Sequence, residues 1–150
     1  AGLIADASGN LYGAAQQGGY FLGPCPYGCG TVFELRATKI GWTYTILHAF
    51  VPKDGIGPTG SMAFDAAGNL YGTAIVGGDL SACQGGGCGS VFKLARRPNG
   101  KWAYTILHAF AGMPDGYEPG GIVAGADGNL YGTTRGGGAS GVGAVFEVTP

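Results

Sequence analysis

The sequence predicts an all-β chain built from four-stranded antiparallel units, and three observations carry that prediction. The first is repetition. Asp65-Ala66-Ala67-Gly68-Asn69-Leu70-Tyr71-Gly72-Thr73 has counterparts beginning at Asp6 and Gly125, which space Tyr12, Tyr71 and Tyr131 by 59 and 60 residues. A period of this length with strand-like segments inside it marks a repeat architecture. The second is glycine, at 33 of 150 residues. It follows no Gly-X-Y period and clusters between apolar runs, where tight turns and positive φ angles separate short strands. The third is alternation. Phe33 and Leu35, Phe92 and Leu94, and Phe146 and Val148 flank Glu34, Lys93 and Glu147, which is the period of a half-buried strand.

Each repeat divides into candidate strands. The first covers Leu3 to Ala5, Met62 to Phe64 and Ile122 to Ala124. An Asp-x-x-Gly-Asn turn joins it to a second strand starting at Leu11, Leu70 and Leu130; Gly and Asn suit left-handed positions, and Asp can accept from the turn amides. The third repeat keeps this chemistry with its Asp displaced, as Asp127-Gly128-Asn129. The third strand covers Gly30 to Arg36, Ser90 to Ala95 and Ala144 to Thr149. Glu34, Lys93 and Glu147 share one position there, so either sign is accepted and the position reads as a solvated face. The fourth strand is the most faithful copy, Trp42 to Phe50 against Trp102 to Phe110, rich in aromatic and β-branched residues. Turn-rich connections around Asp54-Gly55 and Asp115-Gly116 restart the cycle. The third repeat reaches Pro150 directly after its third strand, giving eleven candidate strands. The repeats run over about 1–58, 59–118 and 119–150 of a single repeat domain.

Four-stranded units at this period match the blades of a β-propeller, here about two and three-quarter of them. Propellers use four to eight blades, so the chain is expected to be part of a longer ring or to complete a ring with copies of itself, by face packing or strand addition; the remaining alternative is that its sheets pack as something other than a propeller.

The run Gly-Asn-Leu-Tyr-Gly-Thr, Gly-Gly, Gly-Ser-Val-Phe-Lys-Leu, Tyr-Thr-Ile-Leu-His-Ala-Phe and Asp-Gly resembles the GloVer tandem repeat over essentially the whole chain. That repeat occurs in bacterial secreted or surface proteins of the "choice-of-anchor" kind. The resemblance implies an extracytoplasmic, propeller-like repeat protein, and it carries over no catalytic residue.

Composition narrows the function. With 11% charged residues, a net charge of −1 and no basic cluster beyond Arg96-Arg97, a nucleic-acid footprint is absent. No apolar run approaches the roughly 20 residues of a membrane span. The chain begins at Ala1, which leaves room for a removed signal peptide or a longer precursor.

Four cysteines form two local pairs, Cys25/Cys29 and Cys83/Cys88, at equivalent points between the second and third strands. The third repeat has neither cysteine, so the pair comes and goes as a unit. Local disulfides pinning glycine-rich loops are expected, in an oxidising compartment; a four-thiolate zinc site and free thiols are the alternatives. His48 and His108 occupy identical mid-strand positions with no evident orienting carboxylate, and read as structural histidines bonding a neighbouring strand. Asp54 and Asp115 are repeat-equivalent and read as turn residues; a paired-carboxylate glycosidase would use such acids across a cleft. Asp127-Gly128-Asn129 lacks the ligands of a calcium loop. No metal site or cofactor is expected, and no nucleophile, phosphate-loop or zinc-protease motif occurs.

The first repeat carries what the others lack: Tyr20, Phe21 and Tyr27 on its cysteine-bearing loop. Exposed aromatics on a pinned loop suit glycan stacking or a protein contact, and the alternative is that they pack back onto the blade or cover the open face. The expected function is a non-catalytic secreted or cell-surface module for binding or scaffolding, with a glycan or protein ligand. An extracellular glycan-active enzyme and a self-assembling structural protein are the other readings.

Overall fold

The computed structural model describes residues 2–150. Its strands are β1 (Ile4–Ala5), β2 (Leu11–Ala15), β3 (Thr31–Thr38), β4 (Gly41–Ala49), β5 (Ile56–Phe64), β6 (Leu70–Val76), β7 (Ser90–Arg96), β8 (Trp102–Ala109), β9 (Tyr117–Ala124), β10 (Leu130–Gly136) and β11 (Ala144–Val148). They form three antiparallel meanders in chain order, two of four strands and one of three. The only helical segment among the described residues is a short 3-10 turn over Cys83–Gly85.

The turn chemistry explains why each hairpin forms. In the first repeat Asp6 accepts from the amides of Ser8 and Asn10 and from the Asn10 side chain. Asp65 does the same for Ala67 and Asn69. Asp127, displaced in sequence, accepts from the amide and side chain of Asn129. The tyrosine that follows closes the motif: the Tyr12, Tyr71 and Tyr131 hydroxyls each donate to the turn aspartate of their own repeat. Burial acts to raise the carboxyls of Asp6 and Asp65, and the combined hydrogen bonds outweigh it and hold both below their usual value.

The glycine after each of these tyrosines has a packing cause. Gly13, Gly72 and Gly132 stand in register opposite Phe33, Phe92 and Phe146. A Cβ at Gly13 or Gly72 would lie 2.6 Å from the phenylalanine ring tip, so the ring lies over bare backbone.

Consecutive sheets pack face to face. Tyr12, Val32 and Phe50 of the first sheet meet Met62, Leu70, Phe92 and Leu94 of the second. Tyr71, Val91 and Phe110 of the second meet Ile122 and Leu130 of the third, with Phe146 and Val148 alongside. Each sheet therefore presents its tyrosine-bearing face forward and its leucine-bearing face backward. The two terminal faces remain uncovered: Leu3, Tyr44 and Ile46 are 53%, 54% and 48% exposed on the first sheet, and Val123 and Val145 are 60% and 81% exposed on the third.

Two sequence expectations change. The first strands of the second and third sheets start earlier than expected, at Ile56 and Tyr117, because the segment after Asp-Gly already pairs with β6 and β10. Irregular register between Thr59 and Ala63, and between Gly132 and Thr134, breaks the alternation that would have revealed it. Glu34 is not on a solvated face: it is 4% exposed. The sheet-to-sheet stack covers it; it shares the single Tyr12 hydroxyl proton with Asp6, at 3.0 Å, and accepts from Arg36 at 3.3 Å. Its counterpart Glu147 on the uncovered third sheet is exposed.

Candidate functional site

The meander places the β2–β3 and β6–β7 loops at the same end of the stack as the turns that lead into β5 and β9. The amides of Gly57 and Glu118 donate to the carbonyls of Cys29 and Cys88, and the Gly78 amide donates to Pro52. This end is the loop face. Cys25–Cys29 and Cys83–Cys88 are disulfides with S–S distances of 2.06 and 1.95 Å. All four thiols are thereby used, so the zinc and free-thiol alternatives are excluded.

The disulfide loops fold inward on glycine. Gly28 and Gly87 have φ of 84° and 73°, and a Cβ at either would collide with the backbone of Gly18 or Gly77. Both loops are further tied by backbone hydrogen bonds, the Gly18 amide donating to the Tyr27 carbonyl and the Gly77 amide to the Gly86 carbonyl. In the first loop this tying leaves the aromatic side chains outside. Tyr20, Phe21 and Tyr27 are 58%, 74% and 70% exposed, so they do not pack back onto the blade.

A groove of about 560 Å³ runs between the two disulfide loops, lined by Pro24, Ile56, Val76, Cys83 and Tyr117, with Glu118 at its rim. Tyr27 lines the adjoining depression with Pro24, Cys25 and Ile56. Tyr20 and Phe21 project from the same loop without lining either. Glu118 occupies the position of Gly57 and shares its left-handed conformation, with φ of 52° against 67°. A non-glycine residue in that region is strained. Its carboxylate is held by Arg135 at 2.8 Å, and Arg135 replaces Ile75 of the preceding repeat.

The histidines do have orienting carboxylates, six and seven residues downstream, contrary to the sequence reading. His48 Nε2 lies 3.2 Å from Asp54, and His108 Nε2 lies 2.9 Å from Asp115. The partner sits in the following turn and not on a neighbouring strand. The signal was legible, because the spacing repeats within one residue, but it spans a strand end and a turn. The two pairs differ in cover. The His48 ring stacks on Tyr104 of the next sheet at 4.0 Å, and Tyr104 donates to the Asp54 carbonyl at 2.6 Å. Burial pushes His48 below its ordinary value, against the pull of Asp54. Among the described residues no ring stacks on His108 in this way, and its side chain is 39% exposed. Among the described residues no hydroxyl or thiol bonds either ring, so the pairs pin turns and present no nucleophile. The Ser90 hydroxyl, the nearest candidate by its contact with Asp54, donates instead to the Asp54 carbonyl.

Among the described residues no helix is long and apolar enough to cross a membrane, and no cluster of three potential metal ligands occurs.

Comparison with solved structures identifies the architecture. A proposed gluconolactonase superposes with a TM-score of 0.55 at 20% identity, over 99% of this chain and 47% of that one. Streptogramin B lyase superposes with a TM-score of 0.50 at 19% identity, over 99% of this chain and 39% of that one. The chain thus spans less than half the length of either, and at these identities the likeness is one of fold. None of the curated proteins matches the chain. The model of the Gloeobacter/Verrucomicrobia repeat matches residues 1–150, and the chain accordingly belongs to that repeat family, with propeller-like blades as its structural unit.

Proposed function

We propose that this chain is a non-catalytic, extracellular propeller-repeat module whose loop face binds a glycan or protein ligand through the first disulfide loop. One observation carries the reading: Tyr20, Phe21 and Tyr27 stand exposed on a loop already immobilised by a disulfide and by glycine-dependent backbone contacts. Exposed aromatics supply large contact area, and a pinned loop loses little conformational freedom on binding. Disulfides accord with an oxidising, extracellular setting. Screening immobilised glycans and cell-surface extracts with the protein, beside a Tyr20→Ala/Phe21→Ala/Tyr27→Ala variant, tests it. Binding that disappears with the three aromatics, without turnover of the ligand, supports the reading. Binding unaltered by their removal overturns it.

A second reading has its own observation. Tyr44 and Ile46 at one end of the stack, and Val123 and Val145 at the other, are exposed counterparts of residues on faces that pack between sheets. Head-to-tail self-association would cover both faces. A solution mass that stays monomeric at high concentration removes this alternative. The glycan-active enzyme has less support. The two structural neighbours bear enzyme names, but Asp54, Asp115 and the two histidines here are occupied with holding turns.

A further inference from the structure

A second built feature lies away from the loop face, at the outer edge where the first two sheets part. Glu34, Arg36, Thr43, Thr45, Lys101 and Trp102 line a cleft of about 530 Å³. Strand register explains the arrangement. Glu34 pairs with Thr45 and Arg36 with Thr43, so all four point from the first sheet toward the second. Trp102 opens β8 of the second sheet and enters the same gap, its ring anchored edge-on against Tyr12 at 6.1 Å. The polar stripe belongs to the first repeat. At the same register positions the second sheet has Lys93, Ala95, Ala103 and Thr105.

We propose that this cleft is a binding site for an acidic sugar, a uronic acid residue of an extracellular polysaccharide. Three features of the lining select that class. Trp102 supplies the aromatic surface on which the C–H face of a pyranose packs. Glu34 is buried and engaged by Tyr12 and Arg36, so the groups open to sugar hydroxyls are those of Thr43 and Thr45, exposed beside it. Arg36 offsets the Glu34 charge at 3.3 Å, while Lys101 has no carboxylate partner among the described residues. The lining therefore carries one cation beyond neutrality, placed at the rim where a ligand carboxylate can meet it. The site is independent of the loop-face reading, since it shares no residue with the first disulfide loop.

A titration followed by tryptophan fluorescence tests the proposal. The chain has two tryptophans, and Trp42→Phe leaves Trp102 as the sole reporter. In that background a tetra-galacturonate should bind saturably, with Kd below about 1 mM. A neutral cello-tetraose should bind about tenfold more weakly, as should the acidic sugar to a Lys101→Glu variant. Both Lys101 and Trp42 are exposed, so neither substitution threatens folding. Tyr27→Ala should leave the affinity unchanged. Equal affinity for the neutral sugar, wild-type affinity in Lys101→Glu, no saturable response, or loss of binding in Tyr27→Ala would each overturn the assignment. The last result would move the sugar to the loop face, whereas failure there with success here would overturn only the loop-face reading.

Discussion

Phe33, Phe92 and Phe146 occupy one repeat position, yet the stack assigns them different surroundings, and truncating each to alanine measures that difference. Phe92 is fully buried, packed against Phe50 at 5.3 Å and Tyr104 at 5.7 Å, between two sheets. Its removal leaves a cavity bounded by rigid backbone at Gly72, so collapse is restricted. Phe92→Ala should cost about 3–5 kcal/mol, the upper range for a buried aromatic. Phe33 lies on the uncovered face, where its ring packs against Tyr44 of its own sheet at 5.3 Å. Water can fill the space it leaves, so Phe33→Ala should cost about half as much. Phe146, packed on Phe110 at 5.1 Å but part of the three-stranded sheet, should fall between them. Urea unfolding followed by circular dichroism provides the assay. With a slope of about 2 kcal/mol per molar, the Phe92 variant should lose about 2 M in midpoint. Equal losses for Phe33 and Phe92 would refute the claim that stability resides in the sheet-to-sheet interfaces.

Gly72→Ala should destabilise by about 1–3 kcal/mol through overpacking against Phe92, and a Gly72→Ala/Phe92→Leu double variant should recover part of the loss in the same unfolding assay. Replacing Cys25 and Cys29, or Cys83 and Cys88, by serine should cost about 2 kcal/mol per pair for loops of about five residues, with reductant lowering the wild-type midpoint toward that of the variants. His48 is held below its ordinary value of 6.5 by burial, facing Asp54 and stacked on Tyr104, so the folded protein binds fewer protons there than the unfolded chain. Its contribution is complete above pH 6.5 and is lost as the pH falls through the folded value; thermal melts from pH 8 to pH 5 should show this loss, and His48→Gln should flatten that part of the profile.

The sequence by itself determined the period, the strand order and the turns, because these depend on local chemistry. Asp6, Asp65 and Asp127 can reach their turn amides only through a few residues of chain, and alternation around Phe33 and Phe92 is a property of one strand. The disulfide pairs were legible for the same reason, being four and five residues apart. What the tertiary structure decided was which faces the stack covers. Glu34 and Glu147 are the same residue at the same repeat position, and only the presence of a second sheet makes the first a buried acceptor and leaves the second in solvent. His48 and His108 differ in the same way, through a tyrosine fifty-six residues beyond His48 that no local pattern connects to it. The cleft beside Trp102 also arises between sheets, from a stripe on one and a ring on the next. Repetition in the chain specifies a blade; the neighbour of each blade specifies the environment in which its side chains act.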